Sequence, residues 1–133
     1  MVCVHCGGQT AVTNSRRQQR RNQIWRRRRC SACGAVFTTI EQADHSAVWL
    51  VSINKTLQPF SRDKLLFSLH QSCRHRQHPV EDAAALADTI IRKLQSQVSD
   101  GTLDSRAIAR ITQVTLNRFD RVASVHYQAF HQI

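Results

Sequence analysis

The sequence predicts an α+β protein: a small β module over residues 1–45, then a mainly helical module over residues 46–133 that opens with a β-hairpin. Three observations lead there. Four of the five cysteines lie in residues 1–45, as two matched C-x2-C-G units. Charge divides at nearly the same place: residues 1–40 carry eight arginines, no lysine and no acid, while the remaining 93 residues carry 11 basic and 9 acidic groups. Helical apolar spacing is absent from the first part and begins only after Ser61.

The chain of 133 residues is 41% hydrophobic and 21% charged, a globular composition. No apolar run approaches 18 residues, which rules out a spanning helix, and no membrane partner is expected. Met1-Val2-Cys3-Val4-His5-Cys6 lacks the basic-then-apolar pattern of a signal peptide, so a cytoplasmic protein is expected.

The first 45 residues hold too few apolar side chains for a free-standing core, and modules of this size need a metal or disulfides. Cys3-Val4-His5-Cys6-Gly7 and Cys30-Ser31-Ala32-Cys33-Gly34 are separated by 23 residues. Tetrahedral zinc takes four soft ligands, and each C-x2-C turn delivers two thiolates. The glycine after each second cysteine permits a tight knuckle whose backbone N–H groups point at sulfur. A disulfide pair would need an oxidising compartment, and a redox dithiol leaves the two matched copies unexplained. One zinc ion per chain, held by Cys3, Cys6, Cys30 and Cys33, is therefore expected. Four thiolates close the shell, so the ion is structural and not catalytic. His5 is expected to face solvent.

Arg26-Arg27-Arg28-Arg29 abuts the ligand Cys30, so these side chains project from a metal-pinned hairpin. On a strand, Arg26 and Arg28 share one face, and Arg27 and Arg29 the other. Trp25 is expected to pack on the ribbon in preference to stacking on a base. Arg16-Arg17 and Arg20-Arg21 lie between the knuckles, placed for backbone phosphates. Eight uncompensated charges point to a polyanion. A merely solvated face is the bland alternative, weakened by the lack of interspersed acid. Arginine's planar fork pairs bidentately with phosphate or with guanine. Five to eight phosphate contacts would give a salt slope of about −4.5 to −7 on duplex DNA. The residues alone leave DNA and RNA both open.

Glu41 to Ser46 is polar and reads as a linker. Val48–Ile53 and Thr56–Phe60 read as strands of a hairpin around Asn54-Lys55. Ser61 is an N-cap, followed by Leu65, Leu69 and Cys73 on one helical face. His78-Pro79 ends that helix, and a second from about Glu81 presents Ala87, Ile90, Ile91, Leu94 and Val98. Asp100-Gly101 makes a turn, Ser105 caps a third helix with Ile108, Ile111 and Thr115 inward, and a last helix from Asp120 turns Val122, Ala123, Tyr127 and Phe130 to the core. Cys73 reads as a small core residue. His70, Cys73, His75 and His78 form a His/Cys tract, but Cys73 sits on the apolar stripe and His78 precedes a helix-breaking proline, so no second metal is expected there.

Taken in order, C-x2-C-G, Asn14-Ser15-Arg16, Arg26-Arg27-Arg28-Arg29-Cys30, C-x2-C-G and Phe37-Thr38-Thr39-Ile40-Glu41 closely resemble the N-terminal zinc ribbon of the NrdR repressors. The second module is similar to their ATP-cone through Pro59-Phe60-Ser61-Arg62-Asp63-Lys64-Leu65 and Ala123-Ser124-Val125-His126-Tyr127. The resemblance spans essentially the whole chain. It implies a bacterial, nucleoid-associated repressor of ribonucleotide reductase genes, whose ribbon binds double-stranded operator DNA and whose cone binds ATP or dATP and forms homo-oligomers that gate DNA binding. It implies DNA contacts from Ser15, Arg16, Arg17 and Arg26, Arg27, Arg28 and Arg29, and nucleotide contacts from Val51, Ser52, Lys55, Lys64, Arg74 and Arg76.

The chain departs from the family pattern in places. Val4 stands where a proline is usual. Ser52-Ile53-Asn54-Lys55 stands where the cone's hairpin usually reads Lys-Arg-Asp-Gly, and Arg74-His75-Arg76-Gln77-His78-Pro79 stands near the usual Lys-Arg-Pro. Each missing charge-assisted hydrogen bond to phosphate costs about 1.5–3 kcal/mol. Three other readings stay open: a cone that only oligomerises, an RNA- or ribosome-associated zinc ribbon, and a regulatory cone that docks on an enzyme. An enzyme is not expected, because the chain has no G-x4-G-K-[ST] loop, no paired carboxylates near a basic cleft and no nucleophile beside a base.

Overall fold

A computed structural model describes residues 1–131 and divides the chain into two compact units, Met1–Ala43 and Asp44–Ile133. The first is a three-stranded antiparallel sheet: β1 (Thr10–Gln18), β2 (Gln23–Cys30) and β3 (Val36–Gln42), with β2 central. A single 3-10 turn, Gln19–Arg21, closes the β1–β2 connection, with Asn22 in the left-handed region at φ 48°. A bulge between Val12 and Asn14 shifts the β1 register, so that Arg16 opposes Trp25 and Ser15 opposes Arg26. β3 runs through Glu41-Gln42, paired with Ile24 and Gln23. These two residues are strand and not linker; backbone pairing to β2 decides their conformation, and side-chain polarity carries no information about it.

Cys3 and Cys30 are the buried residues of this unit, so its interior is a cluster of sulfur atoms and not a hydrocarbon core.

The second unit opens with a one-turn helix, α1 (His45–Val48), capped by Asp44, whose Oδ1 accepts from the Ser46 N–H at 3.0 Å. The first strand therefore starts later than Val48. β4 (Leu50–Ile53) and β5 (Thr56–Pro59) form the expected hairpin, with Asn54 at φ 48° and Lys55 at φ 67°. Two successive positive φ values make this the mirror-image turn whose twist suits a hairpin. α2 (Arg62–Ser72) is capped by Ser61, whose Oγ accepts from the Lys64 N–H at 3.2 Å. It stops at Ser72, well short of His78-Pro79. α3 (Pro79–Leu94) begins at the proline itself. A ring with φ fixed near −65° and no N–H fits the first helical position, so the proline starts one helix instead of ending another.

β6 (Thr102–Asp104) is a strand where only a turn was expected. It pairs in parallel with β4, Val51 opposite Leu103, giving the strand order β5-β4-β6. α4 (Ser105–Phe119) is capped by Asp104, which accepts from the Arg106 N–H at 2.9 Å, so Ser105 is the first helical residue and not the cap. α5 (Arg121–Phe130) is capped by Asp120, which accepts from the Ala123 N–H at 2.9 Å.

The core joins Trp49, Val51, Phe60, Leu65, Leu69, Cys73, Leu86, Ile90, Leu94, Leu103, Leu116 and Tyr127, with Trp49 and Phe60 edge to face at 5.4 Å. Cys73 is fully buried, as its place on the stripe suggested, and burial pushes its thiol up to about 11. α5 departs from expectation: Ala123, Ser124 and Tyr127 face inward, while Val122 is 62% and Phe130 73% exposed. Among the described residues no helix is long and apolar enough to cross a membrane.

Candidate metal centre, nucleic-acid face and cone cavity

Two knuckles bring the four cysteines together. In each, the backbone folds back through a glycine in the left-handed region: Gly7 at φ 73° donates its N–H to the Cys3 carbonyl at 2.9 Å, and Gly34 at φ 71° donates to the Cys30 carbonyl at 3.2 Å. The turns aim further N–H groups at sulfur, His5 to Cys3 Sγ at 3.4 Å and Cys33 to Cys30 Sγ at 3.5 Å. Cys3 Sγ lies 3.7 Å from Cys33 Sγ, and Cys6 Sγ 3.5 Å from Cys30 Sγ.

All four sulfur atoms fall within 4.8 Å of one another, and none is in a disulfide. Tetrahedral zinc with thiolates at ~2.3 Å spaces its ligands by about 3.8 Å, so this donor set fits the ion. The backbone N–H of Cys33 leads in pulling the Cys30 thiol below its usual value, whereas Cys6, crowded by the Cys33 and Cys30 sulfurs, is raised despite the Gly8 backbone N–H. His5 is exposed, as expected. Sequence reasoning missed Gly8: a Cβ there would meet Ala32 Cβ at 3.0 Å and the Cys6 and Cys30 sulfurs at 3.3 and 3.4 Å. Its signal was the doubled glycine after Cys6.

The register sorts the arginines. Residues directly opposite in an antiparallel pair share a face. Arg27 pairs with Asn14 and Thr38, Trp25 with Arg16 and Ile40, and Arg29 with Ala11 and Val36. One sheet face therefore presents Arg16, Arg27 and Arg29 around Trp25, with exposed Val36 and Ile40 beside them. Arg27 and Arg29 are exposed, Trp25 is half-buried, and none of the strand residues on this face is acidic.

The other face holds Ser15, Arg17, Arg26 and Arg28. There Arg26 donates through Nε and Nη2 to Glu41 Oε2 at 3.1 and 2.8 Å, and Arg28 Nε donates to Thr39 Oγ1 at 3.2 Å. Both are half-buried. The expected alternation is present, and it separates committed arginines from available ones.

In the second unit, a cavity of about 260 Å³ lies beneath the hairpin, between β4, β5, α2, α4 and α5. Val51 and Lys64 line it, with Phe60, Ile108, Tyr127 and His131. The other four residues implied as nucleotide contacts lie elsewhere. Ser52 alternates away from Val51 and Ile53, which line the cavity, and Lys55 stands at the hairpin tip. Arg74 lies beside a separate groove between α2 and α5. Arg76 is engaged: it ion-pairs with Asp82 and with Asp120 (Nη1 at 2.9 Å), and its guanidinium sits 4.4 Å from the Phe119 ring centroid. His75 reaches the same Asp120 oxygen at 3.1 Å. The backbone N–H of Ala123, with Arg76 and His75, holds the Asp120 carboxyl well below the usual range.

Residues 1–41 match the family model described as Transcriptional repressor NrdR-like, N-terminal domain. Over nearly the full chain there are relatives named Transcriptional repressor NrdR. The one from Symbiobacterium thermophilum is 35% identical over 132 residues, covering 99% of this chain and 87% of its own length. Those from Heliobacterium modesticaldum and Rhodospirillum centenum are 32% and 33% identical over 133 residues, covering 87% and 86% of their lengths. The repressor name describes a family that is not enzymatic. With a four-cysteine ribbon at its N-terminus and this degree of identity across its length, the chain belongs to the NrdR transcriptional repressor family.

Proposed function

We propose that this chain is a zinc-dependent, cytoplasmic DNA-binding repressor of ribonucleotide reductase genes, which holds double-stranded DNA on the sheet face carrying Arg16, Arg27 and Arg29. The carrying observation is that face: three arginines with no acid among the strand residues around them, on a rigid sheet anchored by four converged thiols. Trp25, Val36 and Ile40 give it apolar contact area, while Arg21, in the turn at the sheet tip, meets the phosphate backbone in a supporting role. Zinc supplies fold and not chemistry, since four thiolates fill its shell.

The second unit is the regulatory part of the reading. ATP or dATP enters the cavity lined by Val51, Phe60, Lys64 and Tyr127, and occupancy alters self-association and so DNA binding. One observation favours a plainer alternative, in which this unit serves oligomerisation alone: Lys64 is the only lysine or arginine among the described residues lining the cavity, and Arg76 is held by two carboxylates. Thermal denaturation in millimolar ATP and dATP separates the two. Binding must raise the melting temperature by mass action; an unmoved transition supports the oligomerisation-only unit. For DNA, fluorescence anisotropy with a labelled duplex and a structured RNA competitor is the test. Capture of the duplex that is abolished by chelation and resists the RNA supports the reading, and preference for the RNA overturns it.

A further inference from the structure

The sheet face that carries Arg16, Arg27 and Arg29 changes its chemistry at one end. Gln18, Gln23 and Gln42 are the terminal residues of β1, β2 and β3 at the hairpin tip, and the register sets Gln18 opposite Gln23 and Gln23 opposite Gln42. Strand alternation puts Gln18 with Arg16, Gln23 with Trp25 and Arg27, and Gln42 with Ile40, all on that one face. Along the face, the rows holding Arg29, Arg27 and Arg16 give way to a row of three carboxamides. Gln18 and Gln42 are exposed and Gln23 is half-buried. A groove of about 560 Å³ lies at this end of the sheet. Among the described residues lining it, five end in carboxamides, these three with Gln19 and Asn22, and the one carboxylate, Glu41, is fastened to Arg26.

Gln23 Nε2 donates to Gln18 Oε1. Whichever of the two amides donates, the pair keeps one NH2 group and one carbonyl oxygen free, side by side, and Gln42 offers both groups from a single carboxamide. Adenine presents the complement in the major groove, an N7 acceptor beside an N6 donor. Guanine presents two acceptors and would set its O6 against the free carbonyl. Ile40, 57% exposed and one row back, supplies apolar surface of the kind that contacts a thymine methyl. We propose that the row Gln18, Gln23 and Gln42 reads adenine edges in the major groove, so that the tip of the sheet selects sequence while Arg16, Arg27 and Arg29 hold phosphates. Three strands about 4.8 Å apart carry the row across about 10 Å, within a groove about 12 Å wide. This inference rests on the DNA-binding reading above and names the bases that its surface distinguishes.

The test is selection of bound duplexes from a randomised pool by the zinc-loaded full chain, followed by anisotropy titrations on the selected and on a scrambled duplex. The parent should select adenine over each other base by about fivefold or more at one or more positions. Gln18→Ala/Gln23→Ala should reduce one such preference to within about twofold and leave affinity for the scrambled duplex unchanged. Gln42→Ala should do the same at a neighbouring position. Arg27→Ala/Arg29→Ala should weaken binding to all duplexes alike and keep the preference. Replacing the selected adenine by 7-deazaadenine, which lacks the N7 acceptor, should weaken the parent by about fivefold and leave the double glutamine variant unmoved. The glutamines lie on the sheet surface, so each variant should keep its zinc and melt with the parent. Duplex binding with no adenine preference, or a preference that both glutamine variants keep, overturns this inference alone. A chain that binds no duplex overturns the DNA-binding reading and this inference with it.

Discussion

Arg26 and Arg27 are adjacent and chemically identical, yet the sheet gives them different work. Arg26 is fastened to Glu41, the one acid in residues 1–43, while Arg27 stands exposed on the opposite face. The Arg26–Glu41 pair lies at the surface, with side chains 32% and 61% exposed, so it is worth about 1 kcal/mol at most. Its consequence is orientation more than stability. Another residue-scale feature is Lys55, held at φ 67° where glycine would rest without strain. Lys55→Gly should raise the stability of the second unit by about 1 kcal/mol, read in thermal denaturation.

At the scale of elements, legibility follows sequence distance. The knuckles, the strand alternation of the arginines, the hairpin turn and the Ser61 cap are local, and each is readable from a few neighbouring residues. β6 is not, because its three residues become a strand only by pairing with β4 about fifty positions earlier. The family resemblance implies Arg76 as a nucleotide contact; its partners Asp82 and Asp120, 6 and 44 positions further on, meet it only on folding. Val122 and Phe130 look like core residues because periodicity finds an apolar stripe without saying what the stripe faces.

Asp120 joins these elements, capping α5 with one oxygen and receiving Arg76 and His75 on the other. Asp120→Ala should cost about 2–3 kcal/mol near neutral pH, from the lost cap and the broken pair. A carboxyl held low in the folded state stabilises fully above its unfolded value and loses that contribution as pH falls. The gap between parent and variant in denaturant titrations should therefore hold from pH 7 down and begin to close below about pH 4.

At the scale of the whole molecule, the two units are stabilised by different physics. The first buries Cys3 and Cys30 and little else, and metal ligation of this kind contributes roughly 10–16 kcal/mol of folding energy. The second rests on a packed apolar core. Removing zinc with a chelator should unfold residues 1–43 and leave the melting transition of the second unit in place, which calorimetry resolves as the loss of one of two events. A chelated chain that keeps both would remove zinc as the organising element.

The salt dependence of duplex DNA binding tests the central claim most directly, measured for the parent, Arg27→Ala/Arg29→Ala and Arg26→Ala/Arg28→Ala. Counting the three face arginines and Arg21 at the sheet tip gives a slope of log K against log salt of about −3.6 per bound chain. That is shallower than the range expected from five to eight arginine contacts. Removing Arg27 and Arg29 should flatten it by about 1.8, and removing Arg26 and Arg28 should leave it nearly unchanged. A slope near zero, or equal flattening by both double variants, would contradict a single arginine face on the zinc ribbon as the DNA-binding surface.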